Sequence, residues 1–425
     1  MKVFKFGGAS INSVERIINA GKIIGAHAHQ PLLIIISAMG KTTNALEKVA
    51  EAFYNNDRDL ALQLFGEIKT AHIELSKSLI ALTDAPKTEP THVLNDIFTE
   101  VEWLLHDKPV RGYDYYYDQI VCCGELLSTA VLSQYFNLAG ISNQWIDVRD
   151  VFHTDDNFRD AGIDWPLTTK KVQDIVLPIF KKTPVVITQG FIGATDENES
   201  TTLGREGSDY SAAIFANLLD AESQSIWKDV EGVMNADPKQ FPEATFISKL
   251  SYAEVIEMAF YGAQVIHPKT IKPLQNKGIP LHVRCFLKPD LAGTIISNEP
   301  VKNLPPIIVL KENQVFMQLN SKDFSFVEDT LINTLHGYFN AVKMRPNLSQ
   351  HGAISLYCCL DDKAEKIEKL ALSASELFDV QIEKALTLLT IRHYNNAIID
   401  QLTQGRTIVL TQQTQETIQV LMKNK

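Results

Sequence analysis

The run Leu32-Leu33-Ile34-Ile35-Ile36 constrains this chain most. Five consecutive branched aliphatic residues leave no polar face, so the segment reads as a strand covered on both sides, as in a parallel sheet layered between helices. It ends in a loop of small and polar residues, Ser37-Ala38-Met39-Gly40-Lys41-Thr42-Thr43-Asn44, and a helix begins near Ala45. The same order recurs twice. Residues 3–6 pass through Gly7-Gly8-Ala9-Ser10 into a helical run from about residue 14 to 26. Val185-Val186-Ile187-Thr188 ends in Gln189-Gly190-Phe191-Ile192-Gly193, and residues 201–210 then open onto residues 211–219, apolar at helical spacing. Strands alternating with helices predict a layered α/β domain with a mainly parallel sheet. In such sheets the loops at the strands' carboxyl ends share one crevice.

Two of these loops have the makings of an anion site. A glycine turn before a helix brings backbone N–H groups and the positive helix end together. Lys5, just before Gly7-Gly8, is placed to reach phosphate oxygens; the Walker pattern, with its lysine after the glycines, is absent there. In Thr202-Leu203-Gly204-Arg205-Glu206-Gly207-Ser208-Asp209-Tyr210, Arg205 offers a fork that suits carboxylate or phosphate, and Asp209 puts a carboxylate at the helix entrance. Each motif also has an ordinary reading: Ser208 and Asp209 as helix caps, Gly7-Gly8 as a tight connection. Glu125, after Gly124 in the apolar helical run 120–132, is either a ligand for something or a partnered core charge.

The bulk properties narrow the class. A chain of 425 residues, 45% hydrophobic and 21% charged, predicts a globular protein of two or three domains. A net charge of -11 argues against a nucleic-acid scaffold. No apolar run approaches the roughly 20 residues of a membrane span, and the N-terminus goes straight into a strand pattern without a signal peptide. A cytoplasmic protein with neither nucleic-acid nor membrane partner is the expectation. The five cysteines, Cys122-Cys123, Cys285 and Cys358-Cys359, lack metal-site spacing and read as core residues. His267, before Pro268, reads as packing for want of a ligand set around it.

Residues 50–138 are mostly helical, with a polar break near 83–90. Beyond a linker at Val301-Lys302-Asn303-Leu304-Pro305-Pro306 the units shorten. Strands are expected at 307–310, 315–319, 341–344, 353–360, 380–384, 385–393 and 407–410, with helices at 326–335, 363–372, 397–402 and 416–423. This βαββ-like rhythm, repeated about twice, predicts small α+β modules. Ser349-Gln350-His351-Gly352 is either an effector-facing turn or a plain hairpin.

Taken together, Lys5-Phe6-Gly7-Gly8, residues 37–44, Gly124-Glu125, Gly190-Phe191-Ile192-Gly193, residues 202–210, Trp227-Lys228-Asp229-Val230 and Gly262-Ala263-Gln264-Val265-Ile266-His267-Pro268 resemble the aspartokinases, in the family's order. The resemblance covers about the first 295 residues. It implies a three-layer amino-acid kinase fold over 1–298 and tandem ACT-like regulatory modules over 305–425, the second shortened in its glycine-rich loop. It further implies ATP-dependent phosphorylation of the side-chain carboxylate of L-aspartate to 4-phospho-L-aspartate, the first step towards lysine, threonine and methionine. Lys5 and Asp209 map to the catalytic positions, Asp209 orienting Lys5. Ser37, Thr43, Glu125, Phe191, Arg205 and Ser208 map to aspartate binding, with Arg205 on a carboxylate and Glu125 on the α-ammonium. Lys5, Phe6, Gly7, Gly8, Lys228, Asp229, Met234, Lys239 and Gln264 map to nucleotide contacts. The implied cofactors are ATP and Mg²⁺, the metal held by phosphates and water. A homodimer or tetramer and feedback by lysine or threonine are implied as well.

The sequence departs from that pattern at Ala9 (threonine is usual), Glu206 (a small residue), Met234 (tyrosine), Lys239 (arginine) and Gln264 (lysine). Two alternatives stay open: an amino-acid-sensing protein with an impaired kinase domain, and a related kinase acting on glutamate, an acylated amino acid or a nucleotide.

Overall fold

The computed structural model describes residues 1–323 and 325–423. They fall into two compact units. The first comprises Met1–Val233, Phe246–Ile256 and Ile266–Val301; the second comprises Met234–Thr245, Glu257–Val265 and the chain from Lys302 onward. The chain therefore leaves the first unit twice before the linker, an organisation that no composition change announces.

In the first unit the strands are β1 (Lys2–Phe6), β2 (Leu32–Ile36), β3 (Asn143–Trp145), β4 (Val185–Gln189), β5 (Ile192–Ala194), β6 (Ser200–Thr202) and β7 (Ser223–Lys228). Short strands β8 (Val233–Met234) and β9 (Phe246–Ile247) mark where the chain leaves and re-enters the unit, followed by β10 (Lys249–Ser251), β11 (Leu281–Cys285) and β12 (Thr294–Ser297). Eight of these form one sheet in the order β10-β12-β11-β7-β1-β2-β4-β3. Every pairing in it is parallel except β11 with β12. All five residues of β2 are buried, as their lack of a polar face requires. The helices are α1 (Val14–His27), α2 (Thr42–Tyr54), α3 (Arg58–Ile80), α4 (His92–His106), α5 (Tyr113–Val121), α6 (Cys123–Leu138), α7 (Trp165–Lys171), α8 (Leu177–Ile179), α9 (Gly207–Leu218), α10 (Tyr252–Tyr261) and α11 (Pro268–Lys277). A π-helical stretch, Val172–Val176, joins α7 to α8. Among the described residues no helix is long and apolar enough to cross a membrane. All five cysteines are free and buried.

Register is what positions the site. Phe6 pairs with Ile36 on one side and Trp227 on the other, and Ile36 pairs with Gln189. The carboxyl ends of β7, β1, β2 and β4 are therefore level, and the loops that follow them emerge side by side.

The second unit holds β13 (Ile307–Ser321), α12 (Asp329–Ala341), β14 (Leu348–His351), β15 (Ser355–Asp361), α13 (Ala364–Ala374), β16 (Phe378–Arg392), α14 (Asn396–Thr403), β17 (Ile408–Gln413) and β18 (Thr417–Lys423). Its sheet runs β14-β15-β13-β16-β18-β17, antiparallel throughout. β13-α12-β14-β15 and β16-α14-β17-β18 are two βαββ repeats of the ACT-like kind. Each long strand serves both: Val315, Met317 and Leu319 pack with α12 and α13, while Ile308 packs with Leu389, Ile391, Ile418 and α14. The joint is marked by an irregular register between Lys311 and Gln314.

Two expectations are corrected here. The helix expected at 416–423 is instead strand β18 (Thr417–Lys423). Ile418, Val420 and Met422 alternate with Thr417 and Gln419 and fill one core, while Leu421, which interrupts the alternation, fills another, so the strand is buried on both faces. Residues 341–344 close α12 and turn rather than forming a strand, with Lys343 in the left-handed region. The strand lies at Leu348–His351 instead, where only Leu348 is buried; a polar edge strand carries no apolar signal.

Candidate active site

Lys5 sits one residue before the end of β1 and Asp209 in the first turn of α9. Their charged atoms are 2.7 Å apart, with side chains 12% and 5% exposed. Burial alone would raise the Asp209 carboxyl, but the charges of Lys5 and Lys228 outweigh it and hold it below the usual value. The β1 turn is pressed against the β2 loop: Gly40 donates its N–H to the Gly8 carbonyl at 3.1 Å. A β-carbon on Gly8 would lie 2.4 Å from the Ala38 carbonyl oxygen, so only glycine permits this approach. Ser10 secures the same turn from β7, its hydroxyl donating to the Trp227 carbonyl.

Glu125 enters from the first turn of α6 and is 3% exposed. One carboxylate oxygen accepts the Ala38 N–H at 3.2 Å; the other, Oε2, is buried without a hydrogen-bond partner among the described residues. Burial pushes this carboxyl up to about 8, against the weaker opposing effects of the Ala38 N–H and the Lys5 charge. A buried acceptor left open is the hallmark of a ligand position more than of a satisfied core acid.

The Arg205 loop leaves β6 and enters α9 through two left-handed residues, Gly204 at φ +76 and Glu206 at φ +54. Its base is pinned to Phe191, whose carbonyl accepts the Leu203 N–H at 2.8 Å and whose own N–H bonds the Ser211 hydroxyl at 2.9 Å. Gly190 is required beneath it, since a β-carbon there would meet Ser208 Cα at 2.7 Å. Arg205 is exposed and has no carboxylate partner among the described residues. Glu206 spends one oxygen on the His267 N–H at 2.9 Å. His267 in turn caps α11, its Nδ1 accepting from the Lys269 N–H.

Lys5, Ser37, Thr43, Glu125, Phe191, Arg205, Ser208 and Asp209, drawn from distant parts of the chain, line one cavity of about 410 Å³ in the first unit. Thr202, the first residue of the Arg205 motif, lines it too, as do Tyr117 and Arg159, which carried no sequence signal beyond an aromatic run and an ordinary loop. Phe6, Gly7, Gly8, Lys228 and Asp229 belong to the same unit but are not among the lining residues. Met234, Lys239 and Gln264 belong to the second unit, Met234 half-buried and the other two exposed. Among the described residues no three His, Cys, Asp or Glu side chains gather in a metal-binding group. The cavity thus presents cations (Lys5, Arg159, Arg205) and acids (Glu125, Glu206, Asp209) around one small volume, a fit for a zwitterionic, multiply charged small molecule.

Residues 1–285 match the amino acid kinase family. The chain belongs to it. It is 29% identical over 400 residues to the lysine-sensitive aspartokinase 3 of Escherichia coli, covering 92% of this chain and 86% of that protein. It is 32% identical over 303 residues to the chloroplastic bifunctional aspartokinase/homoserine dehydrogenase 1 of Zea mays, covering 70% of this chain and 32% of that one. The match thus spans about a third of the length of such two-enzyme relatives. The crystal structure of E. coli aspartokinase III in complex with aspartate and ADP (R-state) superposes with a TM-score of 0.80 at 26% identity, covering 100% of this chain and 96% of that one. The kinase-family fold, with its mainly parallel sheet and an antiparallel ACT-like unit after it, is therefore shared along the whole chain.

Proposed function

We propose that this member of the amino acid kinase family is an aspartate kinase, transferring the γ-phosphoryl group of ATP to the side-chain carboxylate of L-aspartate. The observation that carries the reading is the pairing, in one cavity, of a buried carboxylate with an open oxygen (Glu125) and a guanidinium (Arg205), neither that oxygen nor that guanidinium having a partner among the described residues. An α-amino acid supplies the complementary ammonium and carboxylate. The aspartokinase III structure that superposes on this chain holds aspartate and ADP.

Phosphoryl transfer needs positioning and charge neutralisation more than covalent help. Glu125 takes the α-ammonium, Arg205 the α-carboxylate, and Ser37, Thr43, Phe191 and Ser208 shape the space between. The acceptor carboxylate is ionised at neutral pH, so no general base is required. Lys5 neutralises charge on the transferring group, and Asp209, 2.7 Å away, fixes the direction of its ammonium. Gly7 and Gly8, whose backbone already lies against the Ala38–Gly40 loop, offer N–H groups to phosphate. Lys228 and Asp229, at the end of β7, are the further nucleotide residues of the first unit in this reading. Because Asp209 is engaged by Lys5, a Mg²⁺ ion would be held by nucleotide phosphates and water rather than by side chains, and would supply charge neutralisation. Residues 1–298 carry catalysis and 305–425 regulation, with lysine or threonine as effector and a homodimer or tetramer as the assembly.

A coupled ADP-release assay tests the reading. L-Aspartate, and not L-glutamate, supports turnover; Arg205→Ala abolishes it while the protein stays folded; and lysine or threonine at millimolar concentration lowers it. Turnover on L-glutamate in preference to L-aspartate selects the related-kinase alternative, and absence of any acceptor-dependent ADP release selects the sensing protein.

A further inference from the structure

The cavity's third cation, Arg159, has no part in the mechanism above, yet its placement is costly. It adopts φ +70, a conformation strained for a residue with a β-carbon. What holds it there is buried: its N–H donates at 2.9 Å to Oδ2 of Asp118, a carboxylate that is 0% exposed. The same carboxylate accepts the Thr202 N–H and hydroxyl, each at 2.8 Å. Thr202 leads through Leu203 and Gly204 to Arg205, so one buried acid anchors both guanidinium-bearing loops. The Arg159 guanidinium lies over the Tyr117 ring at 4.3 Å, and Nη1 bonds Asp114 at 3.0 Å. Its remaining N–H groups have no partner among the described residues. A surface ion pair with Asp114 contributes ~1 kcal/mol at most and would require neither strained backbone nor a buried anchor.

We propose that Arg159 is a second guanidinium of the acceptor site, reading the carboxylate of the acceptor that does not react. Exposure orders the site. Lys5 and Asp209 form the floor at 12% and 5%, whereas Arg159 stands at the rim with its side chain 46% exposed. The reacting carboxylate must meet the phosphoryl group beside Lys5. A guanidinium on it would withdraw the electron density that attacks, so a rim cation belongs to the other end of the molecule. Arg205 alone faces that end with the Glu206 carboxylate beside it; Arg159 offsets this local negative charge and makes recognition of a second carboxylate specific.

This inference rests on the reading of the acceptor as L-aspartate, and the wild-type arm of the test separates the two. Steady-state ADP release is measured with L-aspartate and with its α-amide, which keeps the β-carboxylate and ammonium but lacks the α-carboxylate charge. Arg159→Gln raises KM for L-aspartate about 10- to 100-fold, the size of a lost charge-assisted hydrogen bond, with kcat within about threefold. The preference for L-aspartate over the α-amide falls by the same factor, KM for ATP stays constant, and Arg159→Lys is intermediate. Asp118→Asn keeps the wild-type KM, because its amide oxygen accepts both N–H groups while its nitrogen donates to the Thr202 hydroxyl; Asp118→Ala raises it. An Arg159→Gln enzyme whose KM for L-aspartate stays within twofold of wild type overturns the proposal, as does an equal rise for both acceptors. Wild-type enzyme that turns over another acceptor and ignores L-aspartate overturns the functional reading and this inference with it.

Discussion

If Glu125 holds the acceptor's ammonium, as proposed, it couples substrate affinity to pH. With its carboxyl at about 8 in the ligand-free protein, only about one molecule in eleven is ionised at pH 7. An ammonium binds the ionised form, so each bound aspartate must displace that proton at neutral pH. For a carboxyl at about 8, KM for aspartate lies about 1.3-fold above its limiting value at pH 8.5, about elevenfold above it at pH 7 and about 33-fold at pH 6.5. Turnover at saturating aspartate changes little over this range, since the acceptor carboxylate stays ionised. Glu125→Gln has a high KM that is flat with pH. Stability moves the opposite way. The folded-state value lies above the ordinary 4.5, so the unfolded chain ionises first, and stability present below pH 4.5 is lost as pH rises towards 8. Glu125→Gln therefore stabilises the ligand-free protein by on the order of 3–5 kcal/mol at pH 8.5, a gain that vanishes towards pH 5. Initial rates across aspartate concentrations at five pH values, with thermal melts of both proteins, provide the measurement. A wild-type KM for aspartate that is level between pH 6.5 and 8.5 refutes the reasoning.

Three further outcomes are expected. Lys5→Met loses at least about 10³-fold in kcat/KM and, by leaving Asp209 buried with a weaker counter-charge, destabilises the fold by about 3 kcal/mol, read by ADP release and denaturant titration. Glu206→Ala loses the bond to His267 and keeps the left-handed backbone, costing about 1 kcal/mol, whereas Glu206→Gly loses the bond but relieves the strain and melts within about 2 °C of wild type; a Gly variant melting lower than the Ala variant contradicts this account. Gly8→Ala drives a methyl group into the Ala38 carbonyl and separates the β1 and β2 loops, raising KM for ATP at least about tenfold with a smaller effect on KM for aspartate.

The unexpected glutamate in the Arg205 loop illustrates where sequence reasoning stopped. Its neighbours announced an anion-binding turn, because strand, glycine and helix start are local patterns. Glu206 itself looked like a departure at a position that favours a small residue. The structure shows why a small residue suits it, φ +54, and what the carboxylate does there, accepting an N–H from a residue 61 positions away. Asp118 was passed over for the same reason: its donors lie 41 and 84 residues downstream. Strand β18 was misread because Leu421, which belongs to a second core, interrupts the alternation of Ile418, Val420 and Met422.

What the chain alone determined is whatever depends on neighbours in sequence: buried strands, glycine turns at their carboxyl ends, helices behind them, the βαββ rhythm, Lys5, Arg205 and Asp209 as charged residues set at those turns, and Glu125 as an acid in an apolar helix. Tertiary structure decided the rest. Level strand ends brought Lys5 of β1 and the loops after β2 and β4 to one cavity, burial lifted Glu125 to about 8 while Lys5 held Asp209 down, and one fully buried carboxylate set Arg159 beside the site. The physical reason is that desolvation and hydrogen-bond satisfaction are properties of an enclosed volume, and residues far apart in the chain enclose it only after the sheet has formed.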